Sequence, residues 1–142
     1  MIYQIVSERR APTYQVSSPS DAFKALDRYK SKRVEHFFLL SLNAAHELMS
    51  VRIVSIGGVA RCPISPREIF RMALAEDAVA IIVAHSHPSG NNFPSEPDKD
   101  VTRRIKEAGD TIGVPLLDHV VFSKTGFYSF VEHGLLEPPR LD

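Results

Sequence analysis

Apolar positions recur along this chain with two periods. After Ser18-Pro-Ser-Asp21 the residues Ala22, Phe23, Leu26 and Tyr29 fall at helical spacing; Ile69, Phe70, Ala73 and Leu74 do so after Ser65-Pro-Arg-Glu68, and Val101, Ile105, Ala108 and Ile112 after Ser95-Glu-Pro-Asp98. Each stretch opens with a Ser followed three residues on by an acid, with Pro in the first turn. That pattern suits a helix start, because hydroxyl and carboxylate can satisfy N–H groups the first turn leaves unpaired. Three amphipathic helices are predicted. Residues 34–42, 48–56, 79–84, 116–122 and 127–131, bounded by Gly, Pro and Asn, predict strands. Phe37-Phe-Leu-Leu40 and Ala80-Ile-Ile-Val83 are apolar without alternation, as strands covered on both faces must be. Strands interleaved with helices predict an α/β (mixed α+β) domain, one mixed β-sheet flanked by about three helices. The pattern leaves the strand order open.

A chain of 142 residues, 44% hydrophobic and 24% charged, suits one domain spanning residues 1–142. Neither repeats nor low-complexity segments occur, and the polar stretch 7–13 and the Pro-rich end 137–142 read as tails. Seventeen basic and seventeen acidic residues give zero net charge, so no global field draws the protein to nucleic acid or anionic lipid. The longest apolar run, from Ala78 to Ala84, is far short of the roughly 20 residues that cross a bilayer. With no secretion-type leader and a single cysteine, a cytoplasmic protein without membrane contact is expected. That cysteine, Cys62, precedes Pro63 with no base nearby and makes a poor nucleophile.

Candidate chemistry gathers behind the most apolar strand. Residues at i and i+2 on leaving a strand project to one side, so His85 and His87 can bite a single metal ion. The loop that follows contains Pro88, Gly90 and Pro94 and can return the chain so that Asp98 supplies a third ligand. Two imidazoles and a carboxylate, with one place left for water, form a catalytic zinc set whose water has a pKa near 7 and attacks an amide carbonyl. Ser95 and Asp98 read equally as a capping box, and both roles coexist if one Asp98 oxygen faces the metal. Asp118 and His119, among Leu116, Leu117, Val120 and Val121, either orient a ligand histidine or are hydrogen-bonded strand residues. His36, His46 and His133 lack partner spacing and read as structural.

The run His85-Ser-His87, seven residues, Ser95, two residues, Asp98 resembles the JAMM signature of the JAB/MPN metallopeptidases. The wider text His85-Ser-His-Pro-Ser-Gly90 with Pro94-Ser95 is similar to the RadC-like branch, as are Ser65-Pro-Arg-Glu68, Lys106-Glu-Ala-Gly109, Leu116-Leu-Asp-His-Val120 and Phe127-Tyr-Ser-Phe130. The likeness covers about residues 34–130. It implies Zn2+ held by His85, His87 and Asp98, Ser95 helping to hold the oxyanion, and a glutamate early on a strand that shuttles the proton of the zinc water. Glu68 lies in a capping box, Glu76 at a helix end and Glu47 at a hairpin turn beside His46. Glu35 opens the buried strand, where the resemblance expects the glutamate and where partial desolvation suits a general acid/base. Its other reading is an ordinary acid paired with Lys32 or Arg33.

The expectation is a zinc-dependent metallohydrolase, a peptidase or isopeptidase, with a peptide or protein substrate. One rival is a nucleic-acid accessory module, suggested by the DNA-repair label of RadC-like proteins and by Lys24, Arg28, Lys30, Lys32 and Arg33 with Arg103, Arg104 and Lys106. Asp21, Asp27, Asp100 and Glu107 are interspersed, which makes these solvated helix faces and nucleic-acid binding weak or absent. RadC-like proteins usually carry an N-terminal helix-hairpin-helix region, and residues 1–33 have no room for one. A second rival, a catalytically silent scaffold, is disfavoured by the complete ligand set. Oligomeric state and the particular substrate are not encoded in these patterns.

Overall fold

Ser18, Ser65 and Ser95 cap helices α1 (Pro19–Ala25), α2 (Pro66–Ala75) and α3 (Glu96–Ile112) in the structure, a computed structural model that describes residues 4–5, 14–57 and 64–139. The three caps are not equivalent. At α1 the Asp21 carboxylate turns back to the Ser17 N–H at 3.0 Å, and at α2 Glu68 pairs with Arg71 at 3.0 Å. At α3 the box is reciprocal: Ser95 Oγ accepts from the Asp98 N–H, and the Asp98 carboxylate accepts from the Ser95 N–H. The capping-box expectation for Glu68 therefore does not hold, because Arg71 one turn on competes for its carboxylate. A short 3-10 turn, Asp27–Tyr29, follows α1. Gly113, at φ 91°, ends α3 in the left-handed conformation that glycine adopts without strain.

The strands are β1 (Gln4–Ile5), β2 (His36–Leu42), β3 (Leu48–Ile56), β4 (Ala80–Ser86), β5 (Leu116–Ser123) and β6 (Gly126–Ser129). They form one sheet in the order β1-β3-β2-β4-β5-β6. β4 and β5 run parallel, joined across the sheet by α3, and the other neighbours are antiparallel. The mixed α/β class is as the pattern predicts, with boundaries moved by specific bonds. β2 begins after Val34 and Glu35. β4 extends through His85 and Ser86, since these are paired to Phe37 and to Val121 and Phe122. β6 stops before Phe130 and Val131: the Phe130 N–H still donates to the His119 carbonyl of β5 at 3.0 Å, but the Val131 N–H donates to the Asp118 carboxylate at 3.1 Å.

Every residue of β2 and β4 is buried, and their alternation divides two cores. Phe37, Leu39, Ile81, Val83 and Val121 face α2 and α3, meeting Ile69, Phe70, Val101 and Ile105. Phe38, Leu40, Leu42, Ile82, Ala84, Val120 and Phe122 face the other way, onto Ala22, Leu26 and Tyr29. Each such side chain contributes about 1.5–3 kcal/mol on burial. Strand parity also decides the site, since His85, two residues past Val83, must face the α3 side. No helix among the described residues is long and apolar enough to cross a membrane. The polar stretch 7–13 and Cys62 lie outside the described residues.

Candidate metal centre

The carboxyl ends of the parallel pair β4 and β5 open beneath the N-terminus of α3, the place where open α/β sheets leave a crevice. His85 is the last but one residue of β4, inside the ladder and 2% exposed. His87 lies just beyond, its N–H bonded to the Phe122 carbonyl at 2.8 Å. Its Nδ1 is 2.8 Å from the Asn91 carbonyl; a carbonyl only accepts, so Nδ1 carries a hydrogen. The two rings stand 4.8 Å apart, nearly perpendicular. α3 brings Asp98 to them. Its Oδ1 is 2.9 Å from His85 Nδ1 and its Oδ2 3.4 Å from His87 Nε2, while Oδ2 also accepts from the Ser95 N–H at 2.8 Å. From the opposite side Glu35 reaches in, with Oε2 at 3.3 Å from His85 Nε2. A cleft of about 490 Å³ holds these residues together with Ser95, Asn91 and Phe93.

Asp98 is wholly buried. Burial alone would raise its pKa, but hydrogen bonds from His85 and His87, the charge of His85 and the Ser95 N–H together hold the carboxyl well below the usual carboxylate range. His87 shifts the other way: burial disfavours its cation, yet the Asp98 carboxylate, the Asn91 carbonyl and the Glu35 charge raise its pKa. A buried anion is thus matched to two imidazoles.

All five residues singled out from the sequence, Glu35, His85, His87, Ser95 and Asp98, line one cleft. Their grouping has a feature the spacing did not suggest. Glu35, His85 and His87 can each offer a donor atom lying within 4.8 Å of the others, a cluster that could hold a metal ion. His85 meets one carboxylate with each ring nitrogen, Asp98 with Nδ1 and Glu35 with Nε2. The other glutamates are occupied elsewhere: Glu47 accepts from Asn43 at the turn, and Glu76 binds Ser41, Ser50 and Arg52. Asp118 accepts from Ser129 and from the N–H groups of His119 and Val131. His36 and His133 bond main-chain carbonyls. Phe93 was not singled out. It is 72% exposed on the cleft wall, 5.9 Å from the Tyr128 ring, and its only sequence signal is an aromatic set between Asn92 and Pro94 in the loop. Of the basic residues, Lys30 pairs with Asp27, Arg103 with Asp100 and Glu107, and Lys106 with Asp110.

Residues 16–135 match the RadC-like JAB domain family. Among curated proteins, the chain is 42% identical over 123 residues to a UPF0758 protein of Chlorobium chlorochromatii, covering 86% of this chain and 55% of that one. It is 43% identical over 103 residues to a UPF0758 protein of Symbiobacterium thermophilum, covering 72% and 44% respectively. A third, from Geobacter sulfurreducens, is 40% identical over 108 residues, 76% of this chain and 47% of its own length. The chain spans about half the length of the curated relatives it matches. With the family matched over most of the sequence, and with the JAMM-like residues of β4 and α3 meeting in one cleft, this chain belongs to the RadC-like JAB domain family.

Proposed function

We propose that this domain is a zinc-dependent hydrolase of peptide or isopeptide bonds. The observation that carries the reading is His85 held between Glu35 and Asp98, with His87 beside it, at the mouth of a cleft. The donors suit zinc: two imidazoles with carboxylates, one carboxylate fully buried and kept anionic. His85, His87 and Asp98 would hold the ion. When bound, zinc acts as a Lewis acid and brings the pKa of water to about 7.

The side chains do the remainder. Glu35, its side chain 40% exposed, accepts a proton from the attacking water and returns it to the leaving amine. Ser95 Oγ accepts from the Asp98 N–H, which leaves its hydroxyl hydrogen to donate to the oxyanion. Asp98 and the Asn91 carbonyl hold the two imidazoles through their Nδ1 atoms, so each ring is fixed, with Nε2 the atom it would offer to the ion. A second reading exchanges the carboxylates: because His85 Nε2 faces Glu35 and Nδ1 faces Asp98, Glu35 would be the ligand and Asp98 the group that orients His85. The ion-paired basic residues support weak, salt-sensitive contact with nucleic acid at most.

The test is elemental analysis of protein prepared without chelator, run beside cleavage of a peptide library. Near-stoichiometric zinc, with cleavage lost on chelation and restored by zinc, supports the proposal. Metal-free protein that takes up no added zinc defeats it.

A further inference from the structure

His119 lies wholly buried in β5 between two aromatic rings, stacked on Phe130 at 4.6 Å and edge-on to Phe37 at 5.7 Å. Its Nδ1 is 2.5 Å from Thr102 Oγ1, and the same hydroxyl is 2.6 Å from the main-chain oxygen of Asp98, one turn back along α3. A carbonyl oxygen can only accept, so the single hydroxyl hydrogen of Thr102 goes to Asp98. The hydroxyl oxygen is left to accept, and the donor is His119. His119 therefore carries its hydrogen on Nδ1, while Nε2 keeps a bare lone pair without a hydrogen-bond partner among the described residues.

We infer that His119 is a positioning residue for Asp98: acting through Thr102, it ties the Asp98 peptide to β5 and so fixes the carboxylate that stands between His85 and His87. The role rests on the metal-site reading for its consequence, though not for its geometry. A hydroxyl bonded to the carbonyl one turn back is a local helix contact and leaves the helix free to slide on the sheet. Val101 and Ile105 anchor α3 by apolar packing, which is non-directional. The bond from His119 is directional, and it springs from the strand paired in parallel to β4, at the residue opposite Val83, two before His85. Helix and histidine are thereby referenced to one pair of strands. Of the two roles open to His119 from its sequence, ligand orientation and plain strand packing, the first applies, with Asp98 and not a histidine as its object.

Four forms of the full chain test this: wild type, His119→Phe, Thr102→Val and His119→Asn. In metal-free wild type, nitrogen-15 spectra of the imidazoles are expected to show His119 with hydrogen on Nδ1, and Thr102→Val to move the His85 ring signals. In zinc titrations against a chromophoric chelator, His119→Phe keeps the ring and loses the donor, and affinity is expected to fall about 10–100-fold, the usual cost of removing a supporting partner. Thr102→Val, nearly isosteric, is expected to weaken zinc equally, to add nothing in the double variant, and to carry the test if His119→Phe misfolds. His119→Asn, which loses the stack but retains a donor at the Nδ1 position, is expected to melt lower and still bind zinc nearly as wild type does. Hydrogen on Nε2, unmoved His85 signals in Thr102→Val, or zinc affinity that follows loss of the ring instead of loss of the donor would each overturn the role. If wild type binds no zinc, the hydrolase reading fails on its own, and the metal-free spectra still decide the tether.

Discussion

Phe37 of β2 and His85 of β4 are register partners in the antiparallel ladder, their rings 5.9 Å apart. Continued outward, that register sets residue 35 against residue 87, and parity turns both to the α3 side of the sheet. Glu35 thus meets His85 although 50 residues separate them.

The first prediction concerns that carboxylate. Glu35→Gln keeps the shape and removes the proton acceptor, so zinc should stay bound while hydrolysis falls on the order of 10²- to 10⁴-fold. Glu47→Gln, altered at a turn where Glu47 accepts from Asn43, should leave both unchanged. Rates and metal content measured on the same preparations check it, and the opposite pattern would sink the proton-shuttle role.

Asp98→Asn separates the two ligand assignments. If Asp98 is the ligand, this variant should lose zinc as His87→Ala does, while Glu35→Gln retains it. Zinc retained in Asp98→Asn and lost in Glu35→Gln would instead make Glu35 the ligand and Asp98 the partner that orients His85. Elemental analysis of the three variants decides between them.

A third prediction is a pH dependence away from the cleft. Burial raises the pKa of Asp118 against hydrogen bonds from Ser129 and from the N–H groups of Val131 and His119. The folded chain then holds a proton at pH values where the unfolded chain has released it, so stability declines as pH rises from the ordinary carboxyl value through the raised one. Asp118→Asn is neutral throughout. Its amide can donate to Ser129 Oγ, as the protonated acid would, while its oxygen keeps the two N–H groups. Urea unfolding from about pH 4 to about pH 8 should show the decline flattened in the variant. An unchanged slope would remove Asp118 as its source.

Gly109 is needed where α3 passes the start of β5. A Cβ there would lie 2.6 Å from the Val114 carbonyl oxygen and 3.2 Å from Phe70 Cζ. The carbonyl is main chain and cannot swing aside. Alanine gains about 1 kcal/mol in helix propensity, but overpacking costs typically about 1–3 kcal/mol, so Gly109→Ala should be neutral at best and is expected to lower the melting temperature. A clear rise would show that the α3–β5 approach is looser than the structure has it.

Nearest-neighbour chemistry made much of this legible in one dimension. Ser, acid and Pro mark all three helix starts, because an N-cap is satisfied within four residues. The unbroken apolar runs of β2 and β4 mark strands buried on both faces, because side-chain direction alternates along any strand. The His85, His87 and Asp98 spacing marks the candidate site through its likeness to the JAMM signature.

Tertiary structure decided what depends on register and on competition between distant groups. Three similar Ser-x-x-acid stretches yield a single reciprocal box, at α3, because Ser17 takes the Asp21 carboxylate and Arg71 takes Glu68. Which nitrogen of His85 faces which carboxylate, and where the Thr102 hydroxyl finds its donor, follow from placing β2, β5 and α3 around β4. Strand pairing joins residues tens of positions apart, and a sequence pattern carries no term for that distance. The sequence by itself determined the elements and the chemical types at the cleft, whereas the fold alone determined which donor meets which acceptor, since a hydrogen bond is directional and its partner is chosen by geometry.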